Sequence, residues 1–344
     1  AIKQLGTNGG GFFGVNSAHP LENPTPFSNL LEMISLLLIP AALCFTFGRN
    51  VKDKRQGFAL FAAMTIVLVV CLGVVAFCEQ NGTPQLAQNG AVNLTAVNQA
   101  GGNMEGKETR FGIAASSTWA VFTTAASNGS VNSMHDSYTP IGGMIPMLLM
   151  QLGEVIFGGT GCGLYGMIGF AILTVFIAGL MVGRTPEYLN KKIEGREMKL
   201  AALCLIIHPL LILGFSALAI ACQSGLEGIT NPGFHGLTQV LYEFSSSAAN
   251  NGSGFEGLAD NTLFWNVTTG MAMFFGRYIS IVLQLGIAGS LMNKGCVSTS
   301  AGTLRTDTPT FAVVLVVVVY LFAALTFLPA LALGPIAEAL TLGI

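Results

Sequence analysis

The sequence predicts an all-α integral membrane protein built from parallel, pseudo-symmetric helix–pore loop–helix repeats, with an extra transmembrane helix at the C-terminal end. Three observations predict it. Of 344 residues, 52% are hydrophobic and only 9% charged, where a soluble domain carries about a quarter charged residues. A polar, glycine-centred break recurs between apolar stretches, its Asn-Gly pair starting at 8, 128 and 251, 120 and 123 residues apart. Basic residues, finally, gather in alternate loops. The net charge of −2 and the absence of a Lys/Arg cluster interleaved with aromatics argue against nucleic acid as a partner.

The breaks read Gly6-Thr7-Asn8-Gly9-Gly10-Gly11, Ala126-Ser127-Asn128-Gly129-Ser130-Val131 and Ala249-Asn250-Asn251-Gly252-Ser253-Gly254. A single Asn-Gly is an ordinary turn signal. Three copies at matching places in one hydrophobic pattern point instead to one structural unit used repeatedly. Irregular backbone at membrane depth is tolerated only where it is buried in protein or lines a wet cavity. Glycine permits the left-handed dihedrals that turn successive carbonyls inward, and rings of carbonyls replace the hydration shell of an alkali cation.

Each element follows in order. The first break begins at residue 6, so an upstream helix is expected to belong to the unit. Asn16 to Pro26 is a polar, proline-rich turn, and Phe27 to Phe47 has the roughly 20 residues a bilayer core requires. Phe58 to Cys78 spans again, and Glu79 to Arg110 is a long Asn/Gln/Gly-rich loop. Its Asn93-Leu94-Thr95, like Asn81-Gly82-Thr83, fits a glycosylation acceptor. Ser116 to Ala126 is too short to cross and fits a pore helix whose C-terminal dipole end faces a cation. Ile141 to Val182 reads as one helix broken at Gly158-Gly159-Thr160-Gly161-Cys162-Gly163. Leu200 to Cys222 spans, Gly236 to Ala248 is a second pore helix, and Leu263 to Met292 and Phe311 to Leu333 are the last spans. These divisions give units at 1–47, 58–183, 200–292 and 309–333.

The loops after 48, 184 and 293 hold 4, 5 and 2 of the 15 Lys and Arg residues. The positive-inside rule places them in the cytoplasm, so every pore loop enters from outside and the repeats are parallel rather than inverted. Arg277 lies 25 residues after Gly252, and Glu154 lies 25 after Gly129. Ionisable residues inside a membrane usually face a cavity or one another. Both are therefore expected at one depth below the breaks, either lining the path and interacting or forming a structural ion pair that locks two repeats together. Gly158, Gly159, Gly161 and Gly163 are expected to form either an unwound hinge or gate or a small-residue packing face. Gly161 to Gly166 matches G-x-G-x-x-G, but no strand precedes it and the next acid is Glu187, so no dinucleotide site is expected. The seven cysteines show no zinc or CxxC spacing. The four histidines are dispersed; His208, before Pro209, reads as a satisfied helix-bend residue, and Glu32 has no evident partner. Neither a Walker motif nor a Ser/His/Asp constellation is present, so no catalytic site is expected.

The three breaks, with Gly153-Glu154-Val155-Ile156-Phe157-Gly158-Gly159 and Gly183-Arg184-Thr185-Pro186-Glu187-Tyr188, resemble the KdpA family, and the resemblance covers essentially the whole chain. That family is the potassium-binding, channel-like subunit of the bacterial Kdp potassium-importing P-type ATPase. The resemblance implies a four-repeat fold of which about three repeats are present here. It also implies a multi-pass protein of the bacterial inner membrane that takes potassium from outside and passes it through a tunnel to the pump. Potassium is then the transported ion, with no organic cofactor. The implied partners are a KdpB-like catalytic subunit, KdpC-like and KdpF-like accessory subunits, and membrane lipid. By position, the filter residues would be Thr7, Asn8, Gly9 and Gly10; Ser127, Asn128, Gly129 and Ser130; and Asn250, Asn251, Gly252 and Ser253. Arg277 matches the basic residue near the tunnel, and Arg184 is a candidate contact to the pump subunit. Two other readings stay open: a passive channel or symporter subunit of the Trk/Ktr/HKT kind, and a non-transporting scaffold.

Overall fold

The computed structural model describes residues 2–6, 9–83, 101–183, 185–297 and 303–343. In chain order its helices are α1 (Ile2–Leu5), α2 (Pro26–Asn50), α3 (Lys54–Asn81), α4 (Gly112–Ala125), α5 (Pro140–Gln151) and α6 (Cys162–Val182). They continue with α7 (Gly195–Ala221), α8 (Phe234–Ala249), α9 (Leu263–Met292), α10 (Pro309–Leu331) and α11 (Ala337–Leu342), with a further short turn at Gln223–Leu226. Among the described residues the structure is all-α apart from an isolated bridge, Lys107 with Ser133, and a hairpin of two-residue strands, Glu187–Tyr188 against Lys191–Lys192, whose Leu189 and Asn190 both adopt positive φ, as a tight hairpin turn demands. Asn93-Leu94-Thr95 lies outside the described residues.

Helix starts follow local chemistry. α2, α5 and α10 each begin with Thr-Pro: the threonine hydroxyl caps a free N–H of the first turn and the proline occupies the first position, where no N–H is needed. Asp53 caps α3, so this helix starts at Lys54 rather than at the expected Phe58. Among the described residues, six helical stretches are long and apolar enough to cross a membrane: α2, α3, α6, α7, α9 and the segment Pro309–Leu342. These are the six spans expected from sequence, with the last one longer. It runs past Leu333 because a five-residue π turn, Ala332–Ile336, absorbs Pro335 and hands the chain to α11. The broken helix opens earlier than predicted, at Leu152, and Cys162 and Gly163 are already helical.

The core lies where α3, α6 and α10 meet, around Leu60, Met64, Val67, Phe170, Ile172 and Leu315. Outward faces carry Val69, Leu210, Val282 and Leu325, all exposed. Apolar residues turned outward on every side need a hydrocarbon solvent, and the chain is an integral membrane protein. The basic loops gather at one end: Gln56 hydrogen-bonds Thr306 at 2.8 Å, Val297 N–H donates to Asn190, and Lys294 pairs with Glu197 at 2.6 Å.

The opposite end is held by two ionic clusters. Glu79 and Lys107 pair at 2.7 Å with both side chains fully buried. Glu79 also accepts from Thr139 N–H, Thr139 Oγ1 and Asn103 Nδ2, and Lys107 sits over the Tyr138 ring. Burial pulls the Lys107 ammonium below its usual range against the pull of Glu79. In the second cluster, His235 Nε2 faces Asp136 Oδ1 at 3.0 Å and its Nδ1 faces Glu338 Oε1 at 2.9 Å. Both ring nitrogens face carboxylates, so the imidazolium is the form that satisfies them. Burial works against that charge, but the two carboxylates raise His235 to about 9.

Lys107→Met leaves a buried carboxylate without its counter-ion and lowers stability by about 3–5 kcal/mol. Arg55→Met breaks a pair with Asp307 whose arginine is 73% exposed and costs about 0–1 kcal/mol. Unfolding midpoints in detergent compare the two. A histidine whose folded pKa is raised contributes stability below its unfolded value of 6.5, and that contribution is lost as pH rises through about 9. The parent's midpoint therefore falls over that interval, and His235→Gln removes this part of the pH dependence.

Candidate functional site

Two short helices end in the middle of the fold. α4 and α8 have 14 and 16 residues, about 21 and 24 Å at the α-helical rise, too short to cross a hydrocarbon core of ~30 Å. Their C-termini feed directly into the second and third breaks. Asn128 N–H donates to Thr123 O at 3.0 Å, and Asn251 N–H to Ser246 O at 2.9 Å, the same relation 123 residues apart.

After each helix the backbone alternates in hand. Ser127 has φ 56°, Asn128 does not, and Gly129 has φ 81°; Asn250 has φ 61°, Asn251 does not, and Gly252 has φ 103°. Gly9 and Gly10 are likewise left-handed, at 34° and 86°. The three segments are adjacent. A methyl group at Gly129 would strike the Asn251 carbonyl, and one at Gly9 would strike Asn128, whereas at Gly252 it would meet only Gly129 Cα, at 3.9 Å. The carbonyls of Ser127, Asn128, Gly129, Asn251 and Gly252 take no hydrogen bond from any described residue. The Ser130 carbonyl does, from Trp119 Nε1 at 2.8 Å. Thr7 and Asn8 lie outside the described residues, as does Arg184.

The asparagine side chains are fully used and buried. Asn128 Oδ1 accepts from Ser130 N–H and Oγ, and Asn251 Oδ1 accepts from Ser253 N–H and Oγ. Asn128 Nδ2 donates to Gly6 O and Gln4 O, while Asn251 Nδ2 donates to Thr123 O and Glu154 Oε1. Behind the second break, Ser130 Oγ lies 2.6 Å from Gln4 Oε1, and Gln4 Nε2 reaches Glu32 Oε2 at 2.7 Å. Glu32 thus has a partner after all, supplied by a residue 28 positions earlier. Trp119 and Tyr242 both stand 10 residues before their break's glycine. Tyr242 hydroxyl lies 3.1 Å from Ser253 Oγ and 2.6 Å from His135 Nδ1. Sequence reading passed over this aromatic pair; equal offset from Gly129 and Gly252 was the signal that could have found it.

Beneath the breaks, residues 152–161 join α5 to α6 without helical order. Gly153, Glu154, Phe157, Gly159 and Gly161 all have positive φ. Gly159 N–H donates to Ala126 O at 2.7 Å, tying this segment to the end of α4, and Gly163 N–H donates to Gly158 O at 2.8 Å. Gly158 and Gly163 pack backbone to backbone, so a side chain on either would collide. A cavity of about 90 Å³ opens here, with Glu154, Cys162, Cys204, His208, Arg277 and Gln284 in its wall. Glu154 and Arg277 share the cavity, but no ion pair within 4.0 Å joins them among the described residues. His208 is not the satisfied bend residue expected: its buried Nδ1 has no hydrogen-bond partner among the described residues, and the residue lines the cavity from α7.

Buried amides thus hold a bent backbone above a cavity lined by Glu154, His208 and Arg277. Residues 1–340 match the family model KdpA, potassium-transporting ATPase A subunit. A Clostridium perfringens protein named potassium-transporting ATPase potassium-binding subunit is 67% identical over 98% of this chain and 58% of its own length. Proteins of the same name from Methylococcus capsulatus and Herpetosiphon aurantiacus are each 60% identical, over 98% and 100% of this chain and 56% and 59% of their own lengths. The chain thus spans less than two thirds of these relatives. The repeated breaks, the short helices that carry them and this match along the sequence agree: the chain belongs to the KdpA family.

Proposed function

We propose that this chain binds potassium from the extracytoplasmic side and passes it toward the catalytic subunit of an ATP-driven potassium import complex. The observation that carries the reading is the repeated left-handed, ordinary, left-handed alternation at Ser127–Gly129 and Asn250–Gly252, with their carbonyls left unbonded by described residues. Alternating hand turns successive carbonyls to one side, and such rings substitute for the water around an alkali ion. The pore-helix C-termini add partial negative charge at the same point.

In this reading residues 1–47 are the end of one pore repeat, 58–183 and 200–292 are two further repeats, and 309–333 begins the closing helix. Gly9 and Gly10 supply part of the ring with Thr7 and Asn8. Ser130 supports it through its side chain, because its carbonyl is engaged by Trp119. Glu154, Arg277 and the Gly158–Gly163 segment line the exit, and Arg184 is the candidate contact to the pump subunit. The chain itself is the non-catalytic member, in the bacterial inner membrane. A KdpB-like subunit hydrolyses ATP, with KdpC-like and KdpF-like subunits beside it.

Potassium-stimulated ATP hydrolysis by the complete complex in liposomes tests this directly. The parent is stimulated by potassium. Gly252→Asp, which adds a carboxylate where φ is 103°, raises the half-activating potassium concentration by at least about tenfold, a change of ~1.4 kcal/mol. Gly129→Ala, whose methyl collides with the Asn251 carbonyl, abolishes stimulation. Unchanged potassium dependence in both variants would remove the ring from the account. Potassium flux without ATP would favour the passive-channel reading instead.

A further inference from the structure

The geometry points to Asn128 and Asn251 as positioning residues that set the diameter of the cation ring through their side-chain amides, and so its choice among alkali ions. This rests on the carbonyl-ring reading above. Each amide does two things at once. Its oxygen folds its own segment by accepting from the serine two positions on, at 2.6 Å from the hydroxyl in both cases. Its nitrogen reaches out of the segment to the end of the preceding short helix: Asn251 Nδ2 to Thr123 O at 3.0 Å, with a second bond to Glu154 Oε1 at 2.7 Å, and Asn128 Nδ2 to Gly6 O at 2.9 Å and Gln4 O at 3.3 Å.

In both cases the bonds to carbonyls run from a later segment back to the helix end before it in the chain. The segment after α8 is strapped to α4, and the segment after α4 is strapped to the end of α1. Head-to-tail contacts of this kind close into a ring of fixed size when repeated around an axis. The strap is also economical in hydrogen bonds. The last carbonyls of a helix have no partner within it; Thr123 O takes the Asn128 backbone N–H from its own repeat and the Asn251 amide from the next. Both asparagines are almost wholly buried, at 1% and 0% exposure, so water cannot replace the bonds. Their oxygens are spent on serine, so the side chains stand behind the ring rather than in it.

Aspartate keeps the shape and the acceptor oxygen of asparagine but loses the donor; alanine loses both without adding charge. The experiment measures half-activating concentrations of potassium and rubidium for ATP hydrolysis by the complete complex. The variants are Asn128→Ala, Asn251→Ala, Asn128→Asp and Asn251→Asp, with Thr118→Ala as a control whose hydroxyl bonds only its own helix. The rubidium-to-potassium ratio is expected to shift toward rubidium by about fivefold in each asparagine variant, the factor one buried hydrogen bond is worth, and to stay put in the control. A charge introduced by aspartate changes both ions' concentrations together, so the ratio isolates ring size. If the alanine variants fail to assemble, the isosteric aspartates decide. Assembled variants that keep the parental ratio, with lower yield alone, would overturn the strap. A parent indifferent to potassium would overturn the carbonyl-ring reading itself.

Discussion

Peptide groups inside an apolar slab must pair with protein or face a wet lumen, and the arrangement of this chain follows from that constraint. α4 and α8 stop short of crossing, which strands their C-terminal carbonyls at depth. Thr123 O and Ser246 O are recovered by the backbone of the following break, and Thr123 O again by an asparagine amide. Ala126 O is taken by Gly159 from below and Ser130 O by Trp119 from behind. What this leaves over is a short run of carbonyls on each segment, at 127–129 and 251–252, with the backbone already bent to present them.

The chain continues differently after the second and third breaks. After the third it runs into a single unbroken helix, α9, from Leu263 to Met292. After the second it splits into α5 and α6 around a ten-residue bend rich in positive φ. Glu154 sits in that bend and Arg277 on the unbroken helix, at equal offsets from their glycines. The asymmetry brings the acid up to the third break, where Asn251 Nδ2 donates to Glu154 Oε1 at 2.7 Å, while the base stays on the cavity wall.

Much of this was legible in the sequence because membrane helices write themselves in long apolar runs and because the breaks repeat. All six spans and both short helices were found, with ends displaced by a few residues where caps such as Asp53 or Thr308 start the helix in polar chain. The bend was expected at Gly158 because glycines cluster there; it opens at Leu152, since Gly153 and Glu154 already leave the helical region. Side-chain partnerships over long separations were not legible. Glu32 with Gln4, His235 with Asp136 and Glu338, and Glu79 with Lys107 join residues from 28 to 103 positions apart, and no periodicity encodes them. The asparagines were singled out for their backbone, whereas their amides make the contacts between repeats.

The most direct measurement is the anomalous scattering of thallium or rubidium bound to crystals of the complete complex. The account predicts a peak ringed by the carbonyls of Ser127, Asn128, Gly129, Asn251 and Gly252, displaced by excess potassium. Ion density confined to the cavity beside Glu154 and Arg277, with none at those carbonyls, would contradict it.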